Sequence, residues 1–168
     1  EVHYYSDTGN YQVSLVVTSN HNCTDSITKQ LSIVESPHVN FTLNDICQND
    51  SLFVVDSIAV GIPNSIEEIH WDFGDGTVVN LNTPNTELAH IYQNSGNYIV
   101  TLIGMSSNGC TDTMEATLNV APKPEVNFLN NHSCINEQGM LFENLTTIQG
   151  GGNLSYLWQF NDGAGGSS

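Results

Sequence analysis

Two aspartates in a short, glycine-containing segment are the residues whose type and spacing could hold a ligand. Asp72 and Asp75 lie on either side of Gly74, and Gly76 follows them. Closely spaced carboxylates on a turn are hard oxygen ligands of the kind that Ca²⁺ prefers. The alternative is structural: Asp75 accepts backbone N–H groups of its own turn, and Gly76 supplies a positive φ. Because the motif has fewer ligands than a dedicated calcium loop, calcium is a candidate and no other cofactor is predicted.

Catalysis has no recognisable basis in the sequence. There are six histidines, but no pair has the i, i+4 spacing or the zinc-finger spacing with cysteine that metal sites use. His3 and His90 each stand two residues before a tyrosine, and we expect them to be packed and hydrogen-bonded. No Gly-x-Ser-x-Gly nucleophile motif occurs. The protein is therefore predicted not to be an enzyme.

The charge balance excludes two classes of partner. Only Lys29 and Lys123 are basic against 18 acidic residues, for a net charge of -16. Nothing here could neutralise nucleic-acid phosphates, and no apolar run approaches the roughly 18 residues of a membrane span. Four cysteines indicate an oxidising compartment. We therefore predict an extracellular location, at a cell surface or in a secreted filament, and we expect the chain to be a segment of something longer.

An internal repeat organises the chain. His3 and Tyr5 return as His90 and Tyr92, at a spacing of 87 residues that holds without a gap from residue 3 to residue 76. The same spacing relates the Cys-Thr-Asp triplets at Cys23 and Cys110, Cys47 and Cys134, and the motifs that begin at Trp71 and Trp158. Such self-similarity is the signature of repeated structural units.

Each repeat is predicted to consist of short β-strands. Ile69, Trp71 and Phe73 alternate with polar residues, the period of two of a half-buried strand. Turn dipeptides such as Asn108-Gly109 separate the runs, and no segment shows a 3.6-residue period. Several short strands with frequent turn signals indicate an all-β sandwich.

These motifs resemble the signature of PKD domains, which are Ig-like, seven-stranded modules of bacterial surface proteins. The residues that carry the resemblance are Trp71 to Gly76, His90-x-Tyr92, and Gly96-x-Tyr98-x-Val100-x-Leu102. The second copy departs from the motif at Gln159 and Asn161, which argues against ligand binding by that loop. The Gly-Cys-Thr-Asp turn and paired cysteines resemble the subtype found in Bacteroidetes surface and gliding-motility adhesins. The resemblance implies an Ig-like seven-stranded sandwich in tandem head-to-tail repeats, with Tyr11 and Tyr98 as tyrosine corners.

Mapped on this module, the chain holds one whole domain and two complementary halves. Residues 37–121 form the complete domain, residues 1–34 the C-terminal half of a domain, and residues 124–168 the N-terminal half. Prolines mark both junctions: Pro37, Pro122 and Pro124. We expect residues 124–168 to be completed by residues 1–34 of a neighbouring copy, head to tail. The copies are either covalently continuous or joined by strand addition.

The resemblance also places the cysteines. Cys23 and Cys110 fall at the N-terminal end of a module, and Cys47 and Cys134 at its C-terminal end, about 33 Å away. A disulfide needs Cα atoms about 5.5 Å apart. Bonds across a junction between domains are therefore implied, with free thiols as the alternative.

Two further expectations concern decoration and function. An Asp-Ser/Thr-apolar motif resembling the O-glycosylation site of Bacteroidetes secreted proteins occurs at Ser26, Ser51, Ser57 and Thr113.

The leading functional hypothesis is a stalk or filament of a cell-surface adhesin. The alternatives are a module that binds polysaccharide or a surface partner, and an accessory domain of a secreted hydrolase. Repetition favours the stalk, and the phase of Trp71 and Trp158 with Phe73 and Phe160 favours a core role for these rings.

Overall fold

The computed structural model describes residues 1–61, 64–131 and 140–160, with the backbone of 165–167. Every regular element in these ranges is a β-strand. The strands are β1 (Gly9–Thr18), β2 (Thr24–Ile33), β3 (His38–Asn40), β4 (Ile46–Cys47), β5 (Ser51–Val55), β6 (Ser57–Ala59), β7 (Ile66–Asp72), β8 (Val78–Leu81), β9 (Glu87–Ile91), β10 (Gly96–Ser106), β11 (Thr111–Ala121), β12 (Phe128–Asn130), β13 (Phe142–Asn144), β14 (Leu157–Gln159) and β15 (Gly165–Ser167). A helix able to cross a membrane is not found in the described ranges.

The strands β3 to β11 form a sandwich, which we call the central sandwich. One layer is a five-stranded sheet in the order β4-β11-β10-β7-β8. The facing layer consists of two antiparallel pairs, β3 with β6 and β5 with β9. Side chains from both layers form one core cluster. The first strand is interrupted between β3 and β4, and the second at Asp56, so nine segments correspond to the seven predicted strands.

The core follows the predicted period of two. Trp71, Phe73, Val100 and Leu102 are all 0–1% exposed, because alternate residues of a strand point to the same layer. Tyr98 is only half-buried. Its ring lies 4.4 Å from the buried ring of Tyr92, at the edge of the core.

Residues on either side of the central sandwich form separate two-stranded sheets. β1 and β2 make a hairpin with Leu15 opposite Ile27, β12 pairs with β13, and β14 pairs with β15. The rings of Phe128 and Phe142 lie 5.4 Å and 5.6 Å from that of Trp158. Apolar side chains on one face of the β1–β2 hairpin remain exposed.

Candidate functional site

The loop after β7 is the predicted ligand site, and its geometry is that of a self-contained turn. Asp72 Oδ1 accepts the N–H of Gly74 at 2.8 Å, and Asp75 Oδ1 accepts the N–H of Thr77 at 2.9 Å. Gly74 has φ 76°, and a Cβ at this position would collide with the backbone oxygen of Ile99. Glycine is therefore required here both by conformation and by close packing.

A histidine from β9 completes this loop. His90 Nε2 lies 2.8 Å from Asp75 Oδ2, and the imidazole stacks on the ring of Phe73 with centroids 4.3 Å apart. Tyr92 packs edge-on against the same imidazole at 4.6 Å and donates its hydroxyl to the carbonyl of Phe73 at 2.8 Å. These contacts confirm the expectation that His90 is packed and hydrogen-bonded.

The electrostatics of the cluster favour an ionised Asp75. Burial by itself would raise the pKa of this carboxyl, but the hydrogen bonds from Thr77 and His90 outweigh it and hold the pKa below 3.8. Burial is also the largest cause that raises the pKa of Tyr92, so this phenol stays protonated and keeps its hydrogen bond. The arrangement fixes the loop to the sandwich and presents no nucleophile with a neighbouring base.

The loop offers calcium only two carboxylates as ligands, those of Asp72 and Asp75. One oxygen of Asp72 and both oxygens of Asp75 already accept or share hydrogen bonds. Across the described ranges, no group of three or more histidine, cysteine, aspartate and glutamate side chains comes together. In the second copy Gln159 takes the position of Asp72, and Asp162, at the position of Asp75, lies outside the described residues.

The two predicted tyrosine corners have the same geometry. Tyr98 donates its hydroxyl to the carbonyl of Asn94 at 2.9 Å, and Tyr11 donates to the carbonyl of Asp7 at 2.9 Å. In both cases the acceptor lies four residues upstream. This bond pins the chain where it enters the long hairpin of an Ig-like module.

Cys47 and Cys110 lie at opposite ends of the central sandwich. Cys47 is opposite Ala121 at one end of β11, whereas Cys110 immediately precedes Thr111 at the other end. Eleven residues of strand separate these ends by about 36 Å, so a Cys47–Cys110 bond within the sandwich is sterically excluded. Within the described ranges Cys23, Cys47 and Cys110 are free thiols. Cys134 lies outside those ranges.

The four hydroxyl residues predicted to carry glycans are all exposed: Ser26, Ser51, Ser57 and Thr113. The aspartates that precede two of them have structural tasks that the sequence did not reveal. Asp56 is 2% exposed and accepts the N–H of Asn85 at 2.7 Å. Asp112 accepts the N–H of Val39 at 2.9 Å, and this bond is the largest cause of the lowered pKa of Asp112. Asp112 recurs as Asp25 in the repeat, and this recurrence was the one sequence signal that the aspartate has a structural role.

Fold and site together define an Ig-like β-sandwich module. Its polar side-chain clusters form hydrogen bonds that fix the loops of the same module. The sequence model of the PKD domain family matches residues 34–122, more than half of the chain. The chain therefore belongs to the PKD domain family. PKD domains are generally non-catalytic Ig-like modules, and they typically occur in extracellular proteins.

Solved structures provide two further similarities. The first is the PKD1 domain of Vibrio anguillarum Epp, at 23% identity and a TM-score of 0.44, covering 52% of this chain and 96% of that domain. The second is a structure from work on the promiscuous specificity of carbohydrate-binding modules of the β-sandwich superfamily, at 18% identity and a TM-score of 0.47. It covers 66% of this chain, which in turn spans about half (53%) of that structure. A search of curated proteins found no match.

Proposed function

We propose that the chain is a non-catalytic extracellular structural repeat that forms part of the stalk or filament of a cell-surface adhesin. The single observation that carries this proposal is the 87-residue repeat around a closed central sandwich. Its C-terminal strands recur in residues 1–34, and its N-terminal strands recur in residues 124–168. In the proposed organisation, the complete domain of residues 37–121 alternates with domains built from these two halves.

Burial of Trp71 and the aromatic rings around it supports a mechanical role over a recognition role. Trp71 and Tyr92 are 0% exposed and Phe73 is 1% exposed. A module that binds polysaccharide needs flat aromatic side chains at its surface, because sugar rings pack against them. In the central sandwich the tryptophan is instead used to join the two layers. A stalk needs such a closed, stable unit and needs no ligand.

Contacts at the ends of the central sandwich support linear stacking. At the C-terminal end, Lys123 forms an ion pair with Asp50, and Ser95 Oγ donates to Gln149 Oε1 at 3.1 Å. Both contacts link residues of the sandwich to the segment that follows it. Cys47 and Cys110 lie at opposite ends of the sandwich, which supports disulfides to the adjoining domains. We propose that these bonds cross junctions and resist extension.

Electron microscopy of covalent concatemers tests the proposal. Three copies joined end to end contain five complete modules in this organisation, and each is about 36 Å long if β11 spans its length. We expect unbranched rods of about 180 Å, compared with a single compact body for one copy. Compact particles whose longest dimension does not grow with copy number would contradict the proposal.

A further inference from the structure

The β1–β2 hairpin presents an apolar face that is accessible to solvent. Val13, Leu15 and Val17 of β1 are 47%, 61% and 57% exposed, and Ile27 and Leu31 of β2 are 55% and 41% exposed. Leu15 stands opposite Ile27 in the ladder, and alternate residues share a face, so these side chains form one surface. We call it the hairpin face.

The central sandwich shows how the same surface is covered when a module is complete. At the equivalent positions 87 residues later, Val100, Leu102 and Leu118 are completely buried. The outer edge of β10 pairs with β7, and Leu102 stands opposite Trp71. The core cluster joins these residues to the facing layer.

Residues 124–160 contain the strand that corresponds to β7. In the central sandwich β7 pairs with β8 on one edge, with Trp71 opposite Val79. β14 keeps the equivalent pairing, because Trp158 stands opposite Gly166. In the central sandwich the other edge of β7 pairs with β10. Within the described ranges, the corresponding edge of β14 and the outer edge of β1 have no partner strand.

We propose that the hairpin face of one copy packs onto strands β12, β13 and β14 of a second copy, with β1 added antiparallel to β14 and Leu15 opposite Trp158. The inference rests on the proposed function, since it specifies how neighbouring copies join. One partly buried hydrogen bond accompanies the register. Asp25 accepts the N–H of Val126 from the second copy, as Asp112 accepts that of Val39.

The hairpin is already arranged for this partner. The rings of His3 and Tyr5 lie 4.7 Å apart at 86°, and those of Tyr5 and Tyr11 lie 4.3 Å apart at 40°. In the complete module the ring centroids of His90 and Tyr92 lie 4.6 Å apart at an interplanar angle of 85°, and those of Tyr92 and Tyr98 lie 4.4 Å apart at 41°. In the complete module Tyr92 donates its hydroxyl to the carbonyl of Phe73, just after β7. The equivalent acceptor for Tyr5 is the carbonyl of Phe160 of the second copy. Preorganisation of this kind lowers the entropic cost of association.

An exchange of side-chain size supports strands β12 to β14 as the occupant. A Cβ at Gly104 would meet Val39 Cγ1 at 3.4 Å and Ile58 Cδ1 at 3.5 Å, so the complete module packs a glycine against larger side chains. On the hairpin, Val17 takes the position of Gly104. The β12–β13 ladder puts Thr146 opposite Val126, the position that Ile58 has opposite Val39. Thr146 is smaller than Ile58 and therefore makes room for part of the larger Val17.

Cross-linking in trans tests the register. One chain carries Ser14→Cys and the other Gln159→Cys, both with the native cysteines replaced by serine, and oxidised glutathione serves as the oxidant. These positions are opposite each other in the proposed ladder, as are Val16 and Leu157, which provide a second pair. The control combines Ser14→Cys with Ser155→Cys, displaced by about 13 Å along the strand. We expect heterodimers from both proposed pairs on non-reducing gels and none from the control.

A face-specific variant supplies the second readout. Leu15→Asp places a charge on the hairpin face, whereas Val16→Asp, 65% exposed, places it on the opposite face of the same strand. Because burial of a leucine is lost, we expect Leu15→Asp to weaken self-association in sedimentation by at least about tenfold. Val16→Asp should change it less than about threefold.

The outcomes separate this inference from the proposed function. Heterodimers from the control pair, or equal effects of the two aspartate variants, would overturn the register in trans. So would cross-links that form only when Ser14→Cys and Gln159→Cys are combined in one chain. Rods in the concatemer experiment, without cross-links between positions 14 and 159, would support the proposed stalk and contradict the β1–β14 ladder. Compact concatemers that still form the specific cross-links would contradict the stalk and support the ladder.

Discussion

Replacing Trp71 with alanine should be the most destabilising single change in the central sandwich. The indole is 0% exposed, and its ring lies 4.9 Å from Phe41 and 6.0 Å from Phe73. Truncation removes these contacts and leaves a cavity between the two layers. Large-to-small changes of this kind cost about 3–5 kcal/mol, against a total stability of roughly 4–13 kcal/mol for a module of this size.

A second substitution separates packing from hydrogen bonding. The indole Nε1 is buried and has no hydrogen-bond partner among the described residues. Trp71→Phe therefore removes an unsatisfied donor while it keeps an aromatic ring, and we expect a loss of only about 1–2 kcal/mol. A loss as large as that of Trp71→Ala would show that the indole N–H has a partner, such as a bound water.

Urea unfolding followed by circular dichroism measures both changes by linear extrapolation. Trp158→Ala is the matched control, because this tryptophan has the equivalent repeat position but is only half-buried. We expect it to alter the unfolding of the central sandwich by less than about 1 kcal/mol. If Trp71→Ala stays within about 1 kcal/mol of the wild type, then Trp71 does not join the two layers and the packing described above is wrong.

The other predictions concern the polar and thiol groups. Non-reducing peptide mapping should recover no Cys47–Cys110 bond, and finding one would disprove the placement of these residues at opposite ends of the sandwich. Asp75→Asn should cost about 1–2 kcal/mol above pH 3.8, where the lowered pKa keeps the carboxylate ionised, and the difference should vanish as the pH falls through that lower pKa; a difference that persists in acid would show that the carboxylate charge is not its source. If the two carboxylates of the loop hold calcium, EDTA will lower the melting temperature; we expect no shift, because the turn already uses their oxygens. Intact-mass measurement of the natively secreted protein should show added hexose mass if the Asp-Ser/Thr motifs are used, and a bare peptide mass would exclude it; the sites are Ser26, Ser51, Ser57 and Thr113.

The sequence predicted the architecture of the central sandwich because its signals are local and repeated. The alternation around Trp71 fixed which residues are buried, and the tyrosine corners fixed where the long hairpins begin. It did not predict the Asp75–His90 contact. These residues are 15 positions apart, with Asp75 in the loop after β7 and His90 on β9, so no local period connects them. The pair depends on β9 passing beside the loop after β7, which only the folded topology shows.

The register in which the first two strands of each copy pair also could not be predicted from the sequence. The 87-residue spacing relates Val39 to Val126 without a gap, but the partner strands do not follow it. Val39 stands opposite Ile58, whereas the β12–β13 ladder aligns Val126 with Thr146, a spacing of 88 for the second strand. A slip of one residue exchanges the two faces of a strand, so Thr146 rather than Leu145 takes the position of Ile58. Sequence spacing cannot reveal such a shift.

The positions of the two lysines support end-to-end over lateral association. Lys123 pairs with Asp50 at the C-terminal junction, and Lys29 stands opposite Val13 on the hairpin face, where the second copy would pack. With a net charge of -16, most other surfaces of two copies repel each other. An exposed strand edge such as that of β1 is otherwise a general site of aggregation. In the proposed head-to-tail arrangement both positive charges lie at the joints, which would disfavour side-by-side pairing of copies.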